Sequence, residues 1–327
     1  MTAGRPALPR ILVTGASGYL GRLLIADLGG QLAAGRVGTL VATDIRVPDR
    51  ATLAPGVHFV RHDVRDAGLA PLLMEHAVDC VIHLASIVTP PKGSTRAFEY
   101  SVDVGGTRRV LDACVEAAVH RIVVTSSGAA YGYHADNPER INEGTPLRGN
   151  ESFGYSWHKR LVEELLAEYG ERHPELEQVI FRVGTILGAS VNNQITALFE
   201  RRRILVIRGS ASPFTFVNDC DVVRCLVRAV DSVATGAFNV AGDGALPLGE
   251  IAALLGKRTI ELPASLVRAA LAALRFFGLT QYGPEQVDFL RYRPVLDNRR
   301  LKEIFGYIPA MTSRETFLHW RDSRPAR

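Results

Sequence analysis

The stretch RILVTGASGYLG, residues 10–21, constrains this chain more than any other. An apolar, β-branched run leads straight into Gly15, Gly18 and Gly21, and a helical pattern follows over 19–33. Glycines in a strand–turn–helix setting permit a tight turn and let backbone amides approach a pyrophosphate, which then rests on the helix N-terminus. A glycine triplet alone is a weak signal. Here the setting is right, and the next 160 or so residues repeat the strand–helix alternation. Further strand-like runs fall at 37–44, 57–63, 79–85, 121–127 and 177–183, with helical segments near 66–76, 97–118 and 155–172.

Strands separated by helices build parallel βαβ units. These strands are apolar at nearly every position, as expected when helices cover both faces of the sheet. The predicted fold is therefore α/β, a Rossmann-type doubly wound parallel sheet that takes its ligands at the carboxyl ends of its strands. At 327 residues the chain is too long for one comfortable core. Past residue 185 the alternation loosens into helical patterns near 193–202, 219–231, 248–255, 264–277 and 298–305, with brief strands between them. We expect residues 1–185 to form the nucleotide-binding domain, with 232–244 returning to it. Residues 186–231 and 245–327 are expected to form a smaller, mainly helical C-terminal substrate domain.

Composition excludes several classes. The net charge of +4 is mild for this length, and the one basic run, Arg201-Arg202-Arg203, reads as a solvated helix end, so nucleic acid is not an expected partner. Cys80, Cys114, Cys220 and Cys225 are scattered without a CxxC pair, which argues against zinc. Residues 1–10 lack the apolar core of a secretory leader, and the most apolar helical segment, 265–279, carries Arg268 and Arg275 and is short of a membrane span. These features predict a reduced, cytoplasmic protein without a membrane partner.

The second strand ends in Asp44, 23 residues past Gly21, where a carboxylate accepts from adenosine ribose hydroxyls and repels a 2′-phosphate. That favours NAD over NADP, although Arg46 lies two residues on. A strand-end turn residue is the plainer role for Asp44. Asp63-Val64, ending the third strand, suits an adenine edge, and Asp63 equally suits a helix N-cap.

Taken together, six segments resemble the extended short-chain dehydrogenase/reductase family of NAD-dependent epimerase/dehydratase type. TGASGYLG is similar to that family's TGxxGxxG, HLAS (83–86) to its strand-four element, and VDVGGT (102–107) to its NVxGT, with Asp103 where Asn is usual. TSSGAAYG (125–132) resembles its Ser-rich motif, YSWHK (155–159) its YxxxK, and FTFVNDCDVV (214–223) its F-V-x-x-x-D-V element. The resemblance implies an enzyme that holds its cofactor with Gly15, Ser17, Gly18, Tyr19, Leu20, Gly21, Asp44, Ile45, Arg46, Asp63, Val64, Leu84, Ala85, Ser86 and Asp103. It also implies Tyr155 as general acid/base, Lys159 on the nicotinamide ribose, Ser127 as hydroxyl partner, and a homodimer formed through helices 97–118 and 154–172. Tyr155 and Lys159 lie four residues apart, hence on one helical face. A phenol with a pKa of about 10 becomes a useful base only when nearby positive charge favours phenolate. Trp157 and His158 point off that face and read as packing or surface residues.

The same resemblance sorts the chemistry. Dehydratases need an Asp-Glu pair directly after the catalytic hydroxyl, where this chain has Gly128 and Ala129, so dehydration is disfavoured. The Asn that grips a nucleotide sugar is Thr185 here, and the arginine aimed at the diphosphate is Phe214. Losing a bidentate clamp removes complementarity for a dianion, unless Arg208 or Arg293 substitutes. The apolar segment 265–282 reads as a core helix or as the wall of a pocket for a lipophilic or small neutral substrate. The expectation is thus an NAD-dependent oxidoreductase for a secondary alcohol or ketone, with a nucleotide-sugar epimerase as the alternative. A redox-sensing regulator without catalysis is argued against by the intact Ser127, Tyr155 and Lys159.

Overall fold

A computed structural model describes residues 8–49, 52–91, 93–280 and 283–324. Residues 1–7, where a leader would begin, and Gln281-Tyr282 of the apolar segment lie outside the described residues. Eleven strands are described: β1 Arg10–Thr14, β2 Thr39–Asp44, β3 His58–Arg61, β4 Cys80–His83, β5 Arg121–Ser127, β6 Glu177–Val183, β7 Thr185–Leu187, β8 Arg203–Ile207, β9 Phe216–Asn218, β10 Gly236–Val240 and β11 Arg258–Leu262. Seven of them form one sheet in the order β10-β6-β5-β4-β1-β2-β3, parallel throughout. The chain runs outward from β1 through β2 to β3 and then crosses back to β4. The crevice between β1 and β4 is therefore the switch point, where such sheets bind ligands.

The helices are α1 Tyr19–Ala33, α2 Leu69–Glu75, α3 Arg96–Tyr100, α4 Gly106–Glu116, α5 Gly154–Arg172, α6 Gln194–Glu200, α7 Asp219–Arg228, α8 Leu248–Leu254, α9 Ala264–Phe276, α10 Gln286–Arg291, α11 Arg299–Glu303 and α12 Ser313–Asp322. Because side chains alternate along a strand, β1 sends Ile11 and Val13 into one core and Leu12 into the other. Each such fully buried aliphatic side chain stabilises the fold by about 1.5–3 kcal/mol. This two-sided burial pins the register and so fixes which residues stand at the carboxyl edge.

The segment predicted as one helix over 97–118 is instead α3 and α4 joined by a wide π turn at Ser101–Gly105. A π turn inserts an extra residue and re-aims its side chains. Here it buries Asp103 beneath the carboxyl edge of the sheet, and the Thr107 hydroxyl donates to the Asp103 carbonyl.

The C-terminal part is mixed rather than mainly helical. β7 pairs with β9 and β8 with β11, both in parallel, around an aromatic core of Phe199, Phe214, Phe216, Phe317 and Trp320. The apolar segment expected to be a core helix or a pocket wall is α9, and it buries only Val267. No described helix is long and apolar enough to cross a membrane.

Candidate active site

The glycine turn is built by contact distance. Gly15 has φ +69°, and a Cβ there would lie 2.6 Å from the Ala85 amide nitrogen. A Cβ at Gly21 would lie 2.2 Å from the Gly15 carbonyl oxygen. Neither position tolerates a side chain, so α1 presses onto the turn and presents first-turn amides that have no intrahelical acceptor. Gly18 is the N-cap and supplies no side-chain cap, which leaves that end open to an anion.

Asp44 is buried, and its carboxylate accepts from the Ser17 amide at 3.0 Å and the Arg46 amide at 2.9 Å. Ser17 donates its hydroxyl to the Arg46 carbonyl. Asp44 is thus both the turn residue and a carboxylate held beside the glycine turn, with Ile45 and Arg46 exposed next to it. Leu20 packs on the core beside α1, so what Leu20 offers a cofactor is its amide. The Tyr19 phenol donates to Asp219 of α7, a helix that packs beside α1 on the large sheet.

Asp63 caps no helix, since α2 begins at Leu69 behind Gly68. Its carboxylate instead accepts from the Arg65 guanidinium, which holds it below the usual carboxylate range. Val64 is buried against Gly106. Leu84, Ala85 and Ser86 follow β4 and face the glycine turn: the Leu84 amide donates to the Thr14 carbonyl, and the Ala85 amide approaches the Thr14 hydroxyl. His83 sits between the hydroxyls of Thr14 and Thr107, and burial lowers its pKa to about 3. It is a neutral spacer that locks β4 to β1 and α4.

Ser127, Tyr155 and Lys159 meet at the carboxyl end of β5 and the first turns of α5. The Lys159 ammonium donates to the Thr125 carbonyl at 3.0 Å and stands 5.8 Å from the centre of the Tyr155 ring. Burial lowers the Lys159 pKa, opposed by the charges of Asp103 and Glu163. Burial pushes Tyr155 up to about 12; its hydrogen bond with Ser127 acts the other way, and the Asp103 charge adds to the rise. The Ser126 hydroxyl donates instead to the buried Glu163, which pairs with Arg182 at 2.7 Å.

Asp103 joins these groups to the cofactor side. One carboxylate oxygen accepts from the Ser86 hydroxyl and the Ile87 amide, and the other faces His158 Nδ1 at 3.3 Å. His158 is therefore a packing residue rather than a surface one. It is as buried as Asp103, and its Nε2 has no partner among the described residues. The replacement of Asn by Asp and the histidine beside Lys159 are a matched pair, a pairing that sequence spacing could not reveal.

Phe214 corrects a second expectation. It does not remove positive charge from this region. The Arg293 guanidinium stacks on its ring at 3.8 Å and on Phe289 at 4.0 Å. Burial lowers the Arg293 pKa to about 10, with Tyr133 opposing, so it stays cationic at neutral pH. Its Nε and one Nη are buried without a partner. Tyr133 packs edge-on against Phe153 and Phe289 and senses the charge of Tyr155 as well as that of Arg293. Arg293 stacks on Phe289, which packs against Phe153 at the N-terminus of α5, whereas Arg208 lies exposed beside Glu261. Thr185 is held in β7, its amide donating to the Thr215 carbonyl.

A glycine cradle at the switch point, with serine, tyrosine and lysine at the sheet edge, defines the extended short-chain dehydrogenase/reductase class. Within it, residues 11–241 match the NAD dependent epimerase/dehydratase family, and the chain belongs to that family. An uncharacterized protein of Mycobacterium tuberculosis (strain ATCC 25618 / H37Rv) is 27% identical over 316 residues, covering 95% of this chain and 83% of the relative. Among solved structures, MoeE5 in complex with UDP-glucuronic acid and NAD superposes with a TM-score of 0.72 at 22% identity, over 96% of this chain and 98% of that one. The UDP-glucose 4-epimerase of Thermotoga maritima, solved with UDP-glucose, gives 0.72 at 17% identity, over 96% and 99%.

Proposed function

We propose that this chain is an NAD-dependent enzyme acting on a nucleotide sugar, and that it inverts a secondary alcohol on the sugar. The observation that carries this reading is Arg293, a cation with two buried nitrogens that have no partner among the described residues, stacked on the Phe289 ring that packs against Phe153 beside Tyr155. A guanidinium with two nitrogens left unsatisfied among the described residues suits a diphosphate. Neighbours of the same fold bound to UDP-glucuronic acid and UDP-glucose support it. A neutral alcohol would leave Arg293 buried and unpaired, which disfavours the dehydrogenase expected from Phe214.

The residues fit the cofactor. Gly15 and Gly21 leave the cradle clear, first-turn amides of α1 would hold the pyrophosphate, and Asp44 would accept from the ribose hydroxyls. NAD, when bound, supplies a hydride acceptor and a positive ring beside Tyr155. Ser127 and Tyr155 hydrogen-bond the substrate hydroxyl, and phenolate Tyr155 takes its proton as the carbon is oxidised. Lys159 holds the ribose and favours the phenolate. Once the ketone has turned within the site, Tyr155 returns the proton to its oxygen, so the same phenol serves both halves of the inversion. Gly128 and Ala129 provide no extra acid or base, so elimination of water has no catalyst.

The test is incubation of the protein with NAD and UDP-glucose, with products separated by chromatography. Formation of the epimeric nucleotide sugar without net NADH supports the proposal. NADH accumulating only with neutral secondary alcohols would return the chain to simple dehydrogenation.

A further inference from the structure

We propose that the surface of the C-terminal lobe formed by α9 and by the first residues of β8 and β11 docks onto an anionic phospholipid bilayer. Single exposed apolar residues are ordinary, but a contiguous set is not. Leu266 and Leu274 of α9 are exposed, and its tip presents Phe276, Phe277 and Leu279 at 84%, 70% and 73% exposure. The polar residues of the helix do not cover this surface, because Arg268 and Arg275 turn aside to Asp288 and Glu285 on α10.

The basic charge lies on the strand pair that α9 packs against. Arg268 reaches Asp288 and Arg275 reaches Glu285, so α9 and α10 run antiparallel. The carbonyl of Arg291, the last residue of α10, accepts from Ser210, just past the carboxyl end of β8. α9 leaves the carboxyl end of β11 through Pro263 and packs Val267 and Leu271 into one cluster with Leu205 and Ile207 of β8. At the start of that strand Arg203 pairs in register with Arg258, and Arg201 and Arg202 precede it, all four exposed. None of the four is matched by a carboxylate among the described residues. Phenylalanine and leucine beside arginines form the composition of an interfacial helix, and stable attachment takes an apolar element together with a basic one. Each arginine near an anionic leaflet contributes about 1 kcal/mol. A second copy of this chain would bring the same positive surface and is less complementary. The helix is too short to span, so docking is in the plane of the surface.

The experiment is co-sedimentation of the full chain with vesicles of phosphatidylcholine alone and of phosphatidylcholine with phosphatidylglycerol. The proposal expects pelleting with the anionic vesicles only, falling as salt rises. Phe276→Ser with Phe277→Ser should abolish it, and serine at Arg201, Arg202 and Arg203 together should weaken it on the order of a hundredfold. All these side chains are exposed, so circular dichroism and thermal unfolding should match the parent. Wild-type protein that stays in the supernatant, or pelleting that survives both variants, overturns the proposal. So does a wild-type dimer in sedimentation velocity that the phenylalanine variant converts to monomer, which would assign the face to a second copy.

Discussion

Replacing Ser127 by alanine tests the proton chemistry directly. Tyr155 is pushed up to about 12 by burial, and Ser127 is the group whose hydrogen bond acts to lower it. A hydrogen bond to a charged group contributes about 1.5–3 kcal/mol, which corresponds to about 1–2 pKa units. The base must be phenolate, so oxidation speeds up as pH rises through the Tyr155 pKa. Loss of Ser127 raises that pKa, moves the limb to higher pH, and lowers the rate at fixed neutral pH by about 10–100-fold. Bound NAD shifts both enzymes downward through its positive ring, leaving the difference between them. The assay is kcat/KM against pH for the NAD-loaded enzyme with a turned-over nucleotide sugar, comparing wild type, Ser127→Ala and Ser127→Thr. The threonine variant should keep the wild-type limb. A uniform loss of rate with an unmoved limb would refute the reasoning, since Ser127 would then position substrate without tuning the base.

The geometry sets three other outcomes. Asp103→Asn keeps acceptors for Ser86 and Ile87 but removes a charge that raises the Tyr155 pKa, so the pH–rate limb should move to lower pH. Arg182→Met strands buried Glu163 and should lower stability by about 3–5 kcal/mol in urea unfolding. Gly21→Ala places a methyl group 2.2 Å from the Gly15 carbonyl and should weaken NAD binding measured by fluorescence titration, while the sheet still folds.

The sheet was legible because burial on both faces leaves continuous apolar strands, and all six predicted strands appear within two residues of their expected ends. The last sheet strand, Gly236–Val240, lies within residues 232–244, the segment expected to return to the sheet. The glycine turn was legible because backbone contact admits no substitute at Gly15 or Gly21. The pairing of His158 with Asp103 was not legible. Helical spacing places His158 off the Tyr155 face, and only the π turn at Ser101–Gly105 brings a carboxylate to it. The stacking of Arg293 on Phe214 was not legible, because a motif position records residue type and not what packs on it from another segment. The exposure of α9 was hidden for a related reason: an apolar helix reads the same in sequence whether or not anything covers it.

The central claim is that Arg293 recognises a diphosphate next to the Tyr155 cluster. Isothermal titration of UDP into the NAD-loaded protein, wild type against Arg293→Met, measures this without need of turnover. The account predicts that UDP binds the wild type and that the variant loses at least about 30-fold in affinity, the cost of removing one member of a buried charge pair. Equal affinity in the two proteins, or no UDP binding by either, would contradict it.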